Sequence, residues 1–270
     1  MKVDKDLFMY NLAVVAIMKN EAPYLKEWMD YHILAGVDHF YIYDNDSPDN
    51  QREILQPYIN TGIVTYKFLP GLRQQMTAYN DAVKNYKFFC RYMAFIDGDE
   101  FILPRSNKSI VETVDEILLS NPNAAALSIC WMFYGSNYQE KADYSRSVLE
   151  RFTRRSDSTS ERLKVIANPR KIYCIVDPHN PSYFFDSYAV TESGKPVYKS
   201  YTDSPSSEKI VINHYKVKSA EEYAVKNRRG DVAFGQDNRY ILNESFHKVN
   251  NNVFDDSIIK YRDSRKGRGG

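Results

Sequence analysis

The first strong pattern in the chain is a continuous apolar run, LAVVAIM (Leu12–Met18), rich in β-branched residues. Such a run predicts a strand buried on both faces, as in a parallel sheet. The period then changes. Tyr24, Leu25, Trp28, Met29, His32 and Ile33 recur at helical spacing, predicting a helix over 22–35 that Gly36 ends. HFYIYDN (His39–Asn45) predicts a second strand and 49–58 a short helix. IVTYKFL, after Gly62, predicts a third strand, 74–86 another helix, and YMAFID a fourth strand. Strands alternating with helices predict an α/β fold with a mainly parallel central sheet and helices on both faces. Ligands of such sheets gather at the carboxyl ends of the strands. The stretches in those places are polar: KNE (Lys19–Glu21), DNDSPDN (Asp44–Asn50), PGLRQQ (Pro70–Gln75) and DGDE (Asp97–Glu100).

The second half is less regular. A helix over 110–119 precedes the strand AALSICWMFYGS, and RKIYCIV and KIVINHY read as strands. SAEEYAVKNRRG (Ser219–Gly230) reads as a helix with Ser219 as N-cap and acids in its first turn. The charged, Ser-rich segment Arg151–Arg162 reads as a mobile loop that could order over a bound ligand. Neither a repeat nor a linker divides the chain. The reading is one domain over 1–262, with halves at about 10–104 and 105–262, and a disordered tail over 263–270.

Composition narrows the classes. The chain has 270 residues and a formal net charge of +1, which gives no global field for nucleic acid or an anionic membrane. The three cysteines (Cys90, Cys130, Cys174) are widely spaced in apolar contexts, which reads as buried free thiols rather than a disulfide framework or a zinc site. LAVVAIM is too short to span a membrane and lacks the flanks of a signal peptide, so the expected location is cytoplasmic.

Three acids, Asp97, Asp99 and Glu100, interrupt the apolar stretch YMAFIDGDEFILP. Carboxylates are costly to bury without partners. In an extended segment Asp97 and Asp99 would point to one side, with Gly98 letting the backbone turn and a ligand approach. Two close carboxylates repel unless a cation lies between them, and a hard divalent ion fits.

The run AIMKNEAPYLKEWMDYHILAGVDHFYIYDNDSPDN, followed by QQMTAYNDA and YMAFIDGDEFILP, resembles glycosyltransferase family 92, a relative of the family 2-like transferases. WMFYGSN, KVIANPRKI and INHYKVKSAEEYAVKNRRG extend the resemblance from about Ala16 to Gly230. It implies a GT-A type nucleotide-sugar-binding sandwich. Asp97 and Asp99 would hold Mn²⁺ or Mg²⁺ beneath the donor diphosphate, with His214 as a third ligand. Lys19, Asn20, Glu21, Asp44 and Asn45 would flank the nucleoside. Arg73, Gln75, Tyr79 and Gly98 would reach the donor. Asp177 and His179 are the candidates for the catalytic base of an inverting transfer, with Asp186, Asp231, Asp237 and Glu140 behind them. Trp131, Phe133 and Tyr134 would face the acceptor, and Gly135 and Ser136 could line its pocket with backbone donors. His32 and His39 read as structural.

The implied activity moves a sugar from a nucleotide-sugar, UDP-sugar first, to a carbohydrate or lipid-linked glycan acceptor in surface polysaccharide or lipopolysaccharide synthesis. A lipid-linked acceptor implies peripheral contact with the inner face of the membrane. Two alternatives stand beside it. One is a haloacid-dehalogenase-type phosphotransferase, whose acids normally follow the first strand rather than the fourth. The other is a non-catalytic nucleotide-sugar-binding protein.

Overall fold

The computed structural model describes residues 7–229 and 246–267. Its first half is β1 (Tyr10–Met18), α1 (Ala22–Leu34), β2 (His39–Asp44), α2 (Gln51–Asn60), β3 (Val64–Phe68), α3 (Gln75–Tyr86), β4 (Cys90–Phe95) and β5 (Glu100–Pro104). The second half opens with α4 (Ile110–Leu119), β6 (Ala124–Phe133), α5 (Val148–Arg151), β7 (Arg154–Arg155) and β8 (Leu163–Ala167). It continues through β9 (Ile172–Cys174), β10 (Ser182–Tyr183), β11 (Tyr188–Val190), β12 (Pro196–Val197), β13 (Ile210–His214), α6 (Ala220–Arg229), β14 (Val253–Phe254) and α7 (Ser257–Lys266).

The main sheet runs β12-β11-β6-β8-β4-β1-β2-β3, and β13 joins β5 to β6. β4, β1, β2 and β3 are parallel neighbours, as the alternating pattern requires. β1 shows why its sequence reads apolar throughout. Leu12, Val14 and Ala16 pack into the layer containing Trp28 and Met29 of α1. Ala13, Val15 and Ile17 pack into the opposite layer with Ala78, Tyr79 and Ala82 of α3. Successive side chains of a strand point to opposite faces, so a sheet covered twice needs apolar residues at every position. Each large side chain so buried contributes roughly 1.5–3 kcal/mol.

Local signals set the helix ends. Ser109 caps α4 in a capping box with Glu112, each side chain bonded to the other residue's backbone N–H. Gly36, at φ +102°, turns the chain out of α1 in a conformation that side chains disfavour.

After β4 the chain turns and returns as β5, antiparallel to β13. Three expectations are corrected. The segment 151–162 is not a free loop: α5 ends at Arg151, which is buried, and β7 pairs with β14. The supposed tail is helical through Lys266, and α7 packs Ile258 and Tyr261 into the core. Cys90 and Cys130 are buried, but Cys174 is only half-buried.

Among the elements the sequence reading did not include, β8 sits in the middle of the sheet: it inserts antiparallel between β4 and β6, with Phe95 and Ser128 both opposite Val165. No helix among the described residues is long and apolar enough to cross a membrane.

Candidate functional site

The acids lie where the parallel strands end. The Glu100 N–H donates to the Asp97 carbonyl at 3.1 Å, closing the DGDE turn. That turn sends the two aspartates to different neighbours rather than to one side. Asp97 Oδ1 accepts from Gln75 Nε2 (2.8 Å) and Tyr79 OH (3.5 Å), both on α3. Its Oδ2 accepts from Lys164 Nζ at 2.9 Å. Lys164 comes from β8, is 0% exposed, and lies 3.8 Å from Glu100 Oε2. Asp99 faces the other way. Its Oδ1 is 3.5 Å from His214 Nε2 at the end of β13, and its Oδ2 accepts from the Lys226 ammonium on α6.

These partners set the charges. Burial raises a carboxylate's pKa, but the Lys164 ammonium outweighs it and holds Asp97 below the usual range. Asp99, also buried, is held well below that range by Lys226 and His214. Glu100 goes the other way: burial and the two neighbouring acids push it well above, against the pull of Lys164. Lys164 stays charged, because Asp97 and Glu100 more than offset its burial.

A wall of rings stands beside the acids. Trp131, on β6, lies between His179 (centroids 5.1 Å apart) and His214 (4.7 Å apart). Among the described residues, Trp131 Nε1 and His214 Nδ1 are buried without hydrogen-bond partners. His179 Nδ1 lies 2.8 Å from the Leu163 carbonyl, which can only accept, so Nδ1 carries the proton and Nε2 the lone pair. Burial, then the nearby Lys164, lowers the His179 pKa to about 4, so the ring is neutral. Asp177 Oδ1 accepts the His179 N–H at 2.8 Å and shapes the loop that presents the ring.

The other predicted residues divide. Gln75 and Tyr79 reach Asp97. Asp44 does not offer a free carboxylate: Oδ1 accepts from the Ser47 N–H and Oδ2 from Tyr66 OH. Asn45 donates to the carbonyls of Leu69 and Gly71, tying the β2 end to the next loop. Arg73 is exposed on a left-handed turn at φ 56°. Gly98 is buried, and a Cβ there would lie 3.2 Å from Glu21 Cγ, so its smallness admits Glu21 rather than a ligand. Asn20, at φ 57°, donates its N–H to Ser47 Oγ. Lys19 is half-buried in the same turn.

The acceptor-side expectations divide as well. Gly135 donates its N–H to the Arg154 carbonyl, and buried Ser136 bonds His247, so neither lines an open pocket. Tyr134 is buried and accepts from Asn213. His32 and His39 are structural, bonded to the Trp28 carbonyl and the Thr65 hydroxyl. Asp231 and Asp237 lie outside the described residues.

Two carboxylates and a neutral imidazole suit a divalent cation in kind. They are not gathered around one point: among the described residues no group of three His, Cys, Asp or Glu side chains is placed to hold an ion. Lys226 occupies the Asp99 oxygen that His214 leaves. It also lines a cavity of about 380 Å³, with Asn20, Glu21, Asp49, Lys216 and Lys218. The two lysines that answer the acids carried no role in the sequence reading. The only signal was Lys164 itself, a charge inside the apolar stretch LKVIA.

Comparisons with known proteins agree with the resemblance. The model of the family described as Glycosyltransferase family 92 matches residues 14–267. A Ricinus communis protein named as a member of that family is 22% identical over 219 residues, 80% of this chain and 37% of that protein. The galactan beta-1,4-galactosyltransferase GALS2 of Arabidopsis thaliana is 30% identical over 96 residues, 32% of this chain and 18% of that protein. This chain thus spans well under half the length of these relatives. Among solved structures, S. aureus TarS 1-349 in complex with UDP aligns at a TM-score of 0.39 and 14% identity, over 59% of this chain and 47% of that one.

Proposed function

The chain belongs to glycosyltransferase family 92, and from that premise we propose that it transfers a sugar from a nucleotide-sugar to a carbohydrate hydroxyl. The observation that carries this reading is the DGDE turn. Two ionised aspartates stand at the carboxyl end of a parallel strand, each held by a lysine, beside a cavity and a Trp–His wall. The name of one relative, a galactan beta-1,4-galactosyltransferase, makes UDP-galactose the first donor to try and a galactan oligosaccharide the first acceptor.

For inversion, the acceptor oxygen attacks the anomeric carbon as the bond to the diphosphate oxygen breaks. The acceptor's proton needs a base. His179 supplies one, because Nδ1–H is fixed on the Leu163 carbonyl and Nε2 keeps its lone pair. With a pKa of about 4, the ring is neutral at physiological pH, so Nε2 is unprotonated, though the burial and the Lys164 charge that keep it so also make it a weak base. Asp99 and His214 would hold a divalent cation, Mn²⁺ or Mg²⁺, which when bound supplies positive charge to the departing diphosphate. Gln75, Tyr79 and Lys164 fix Asp97, so the turn keeps its shape as charge moves past it.

The test is calorimetric titration of UDP, with Mn²⁺ and with EDTA, into the protein and its Asp99→Ala variant. Binding that needs Mn²⁺ and is lost in the variant is expected, and justifies assaying UDP-galactose hydrolysis. Absence of UDP binding in both conditions would sink the donor assignment.

A further inference from the structure

At the end of the sheet opposite the DGDE turn, where β1 and β4 begin, the chain leaves apolar side chains in solvent. Phe88 and Phe89, between α3 and β4, are exposed, Phe88 at 72%. The Phe89 carbonyl accepts the Tyr10 N–H at 3.0 Å, which brings exposed Met9 alongside. The β9–β10 hairpin adds Tyr173 and Phe184, whose rings lie 5.6 Å apart. Phe185 is 99% exposed at the tip of a turn that the Ser187 N–H closes on the Phe184 carbonyl. Single exposed apolar residues are ordinary, but grouped ones mark a contact surface.

Cations join these groups. The Arg170 guanidinium lies 4.2 Å from the Phe8 ring centroid and donates to the Lys87 carbonyl at 3.3 Å. Lys87 Nζ stands 5.2 Å from the centroid of the Phe88 ring. The Lys171 carbonyl accepts the Phe184 N–H, and its ammonium donates to the carbonyls of Pro122 and Ala124. Arg170 and Lys171 are thus held by carbonyls rather than carboxylates, which positions their charges without cancelling them. Exposed Lys84, in the last turn of α3, adds a fourth cation among the described residues. Asp38 and Asp186 are the acids at the edge, and Asp38 is tied to the N–H groups of Asn11 and Leu12.

We propose that this end of the molecule docks on an anionic lipid bilayer, the rings entering the interface and the cations meeting the headgroup phosphates. Interfacial binding grows with the apolar area buried and with attraction to anionic headgroups, and this face supplies both. The chain's net charge of +1 gives no long-range pull, so the charge complementarity is local to the face. A second copy of the chain fits less well, because a two-fold contact would set the same cations against one another. The surface is not the C-terminal tail, which packs as α7. Docking here leaves the carboxyl ends of β1 and β4, and the DGDE turn with them, facing away from the bilayer. The proposal is independent of the donor reading above.

The experiment is vesicle co-sedimentation of the protein with phosphatidylcholine alone and with phosphatidylcholine plus phosphatidylglycerol, at low and high salt. Phe88→Ser/Phe185→Ser and Lys84→Gln/Lys87→Gln are run beside the parent, with thermal denaturation as the folding control. All four side chains stand at the surface or at its edge, so both variants are expected to fold. The parent should bind the anionic vesicles about tenfold tighter than the neutral ones, with the preference shrinking at high salt. The Ser variant should lose most of the binding to either vesicle. The Gln variant should lose most of the anionic preference and its salt dependence. Absence of vesicle binding by the parent, or equal binding to both vesicles, would overturn the proposal. So would a folded Ser variant that binds as the parent does. Analytical ultracentrifugation covers the other occupant: a dimer that the Ser variant abolishes, without vesicle binding, would assign the face to a second copy instead.

Discussion

Replacing Lys164 by Met keeps most of the side chain's length and removes its charge. The parent ammonium is 0% exposed, 2.9 Å from Asp97 Oδ2 and 3.8 Å from Glu100 Oε2. Removing one partner of a buried pair costs roughly 3–5 kcal/mol, because the other charge is left uncompensated. Two features pull the figure toward the lower end. Asp97's side chain is 33% exposed, so water reaches part of it, and Gln75 and Tyr79 still donate to Oδ1. The expected loss is about 3 kcal/mol, which for a chain of this size lowers Tm by roughly 6–12 °C.

The sign with pH follows from Asp97. Its depressed folded-state pKa contributes stability that is present above the unfolded carboxylate range and lost as pH falls through the folded value. Lys164 is the leading cause of that depression, so Lys164→Met should erase most of it. The gap between parent and variant should then be widest near pH 7 and narrow at acid pH, as Asp97 takes a proton in both. Lys164→Met/Asp97→Asn, which removes both charges, should recover more than half of the loss. Calorimetric melts at several pH values check this. A Tm within about 2 °C of the parent for Lys164→Met, or a double variant no better than the single one, would refute the reasoning.

Two further outcomes follow from the same geometry. Burial lowers the His32 pKa to about 4, so the unfolded state takes up the proton first as pH falls from 6.5. Stability from this group is complete above pH 6.5 and falls by about 3 kcal/mol by pH 4, a dependence that His32→Gln should lack in urea melts across that range. Gly135→Ala would place a Cβ 2.6 Å from the Asn250 carbonyl and from Asn251 Oδ1, so it should cost about 1–3 kcal/mol in the same assay.

The first half of the fold was legible because its strands and helices carry their own period. The two layers around β1 require the unbroken apolar run that LAVVAIM supplies. β8 was not legible for the opposite reason. LKVIA has five residues with a charge second in line, and only its neighbours β4 and β6 make it a strand. The polar residues at strand ends misled for a local reason. Asp44 and Asn45 sit where ligands gather, yet their groups satisfy the turn and the adjoining loop, as Asx residues commonly do. The segment 151–162 read as mobile because of its charges, whereas Arg151 is buried with its partner Glu222 on a distant helix.

The acids of DGDE looked unpaired because their partners are remote in sequence: Lys164 lies 67 residues from Asp97, and Lys226 lies 127 from Asp99. With burial favouring a neutral Glu100, two carboxylates meet two ammoniums and the site is close to neutral at rest. A divalent ion entering alone adds charge that the sealed Lys164 cannot yield to. A diphosphate entering alone meets Asp99 while Lys226 is still engaged. Entering together, the two charges largely cancel. Mn²⁺ and UDP should therefore bind with positive coupling, each tightening the other by the same factor. UDP titrations at stepped Mn²⁺ concentrations measure that factor, and a UDP affinity independent of Mn²⁺ would show that the acids of this turn answer to their lysines alone.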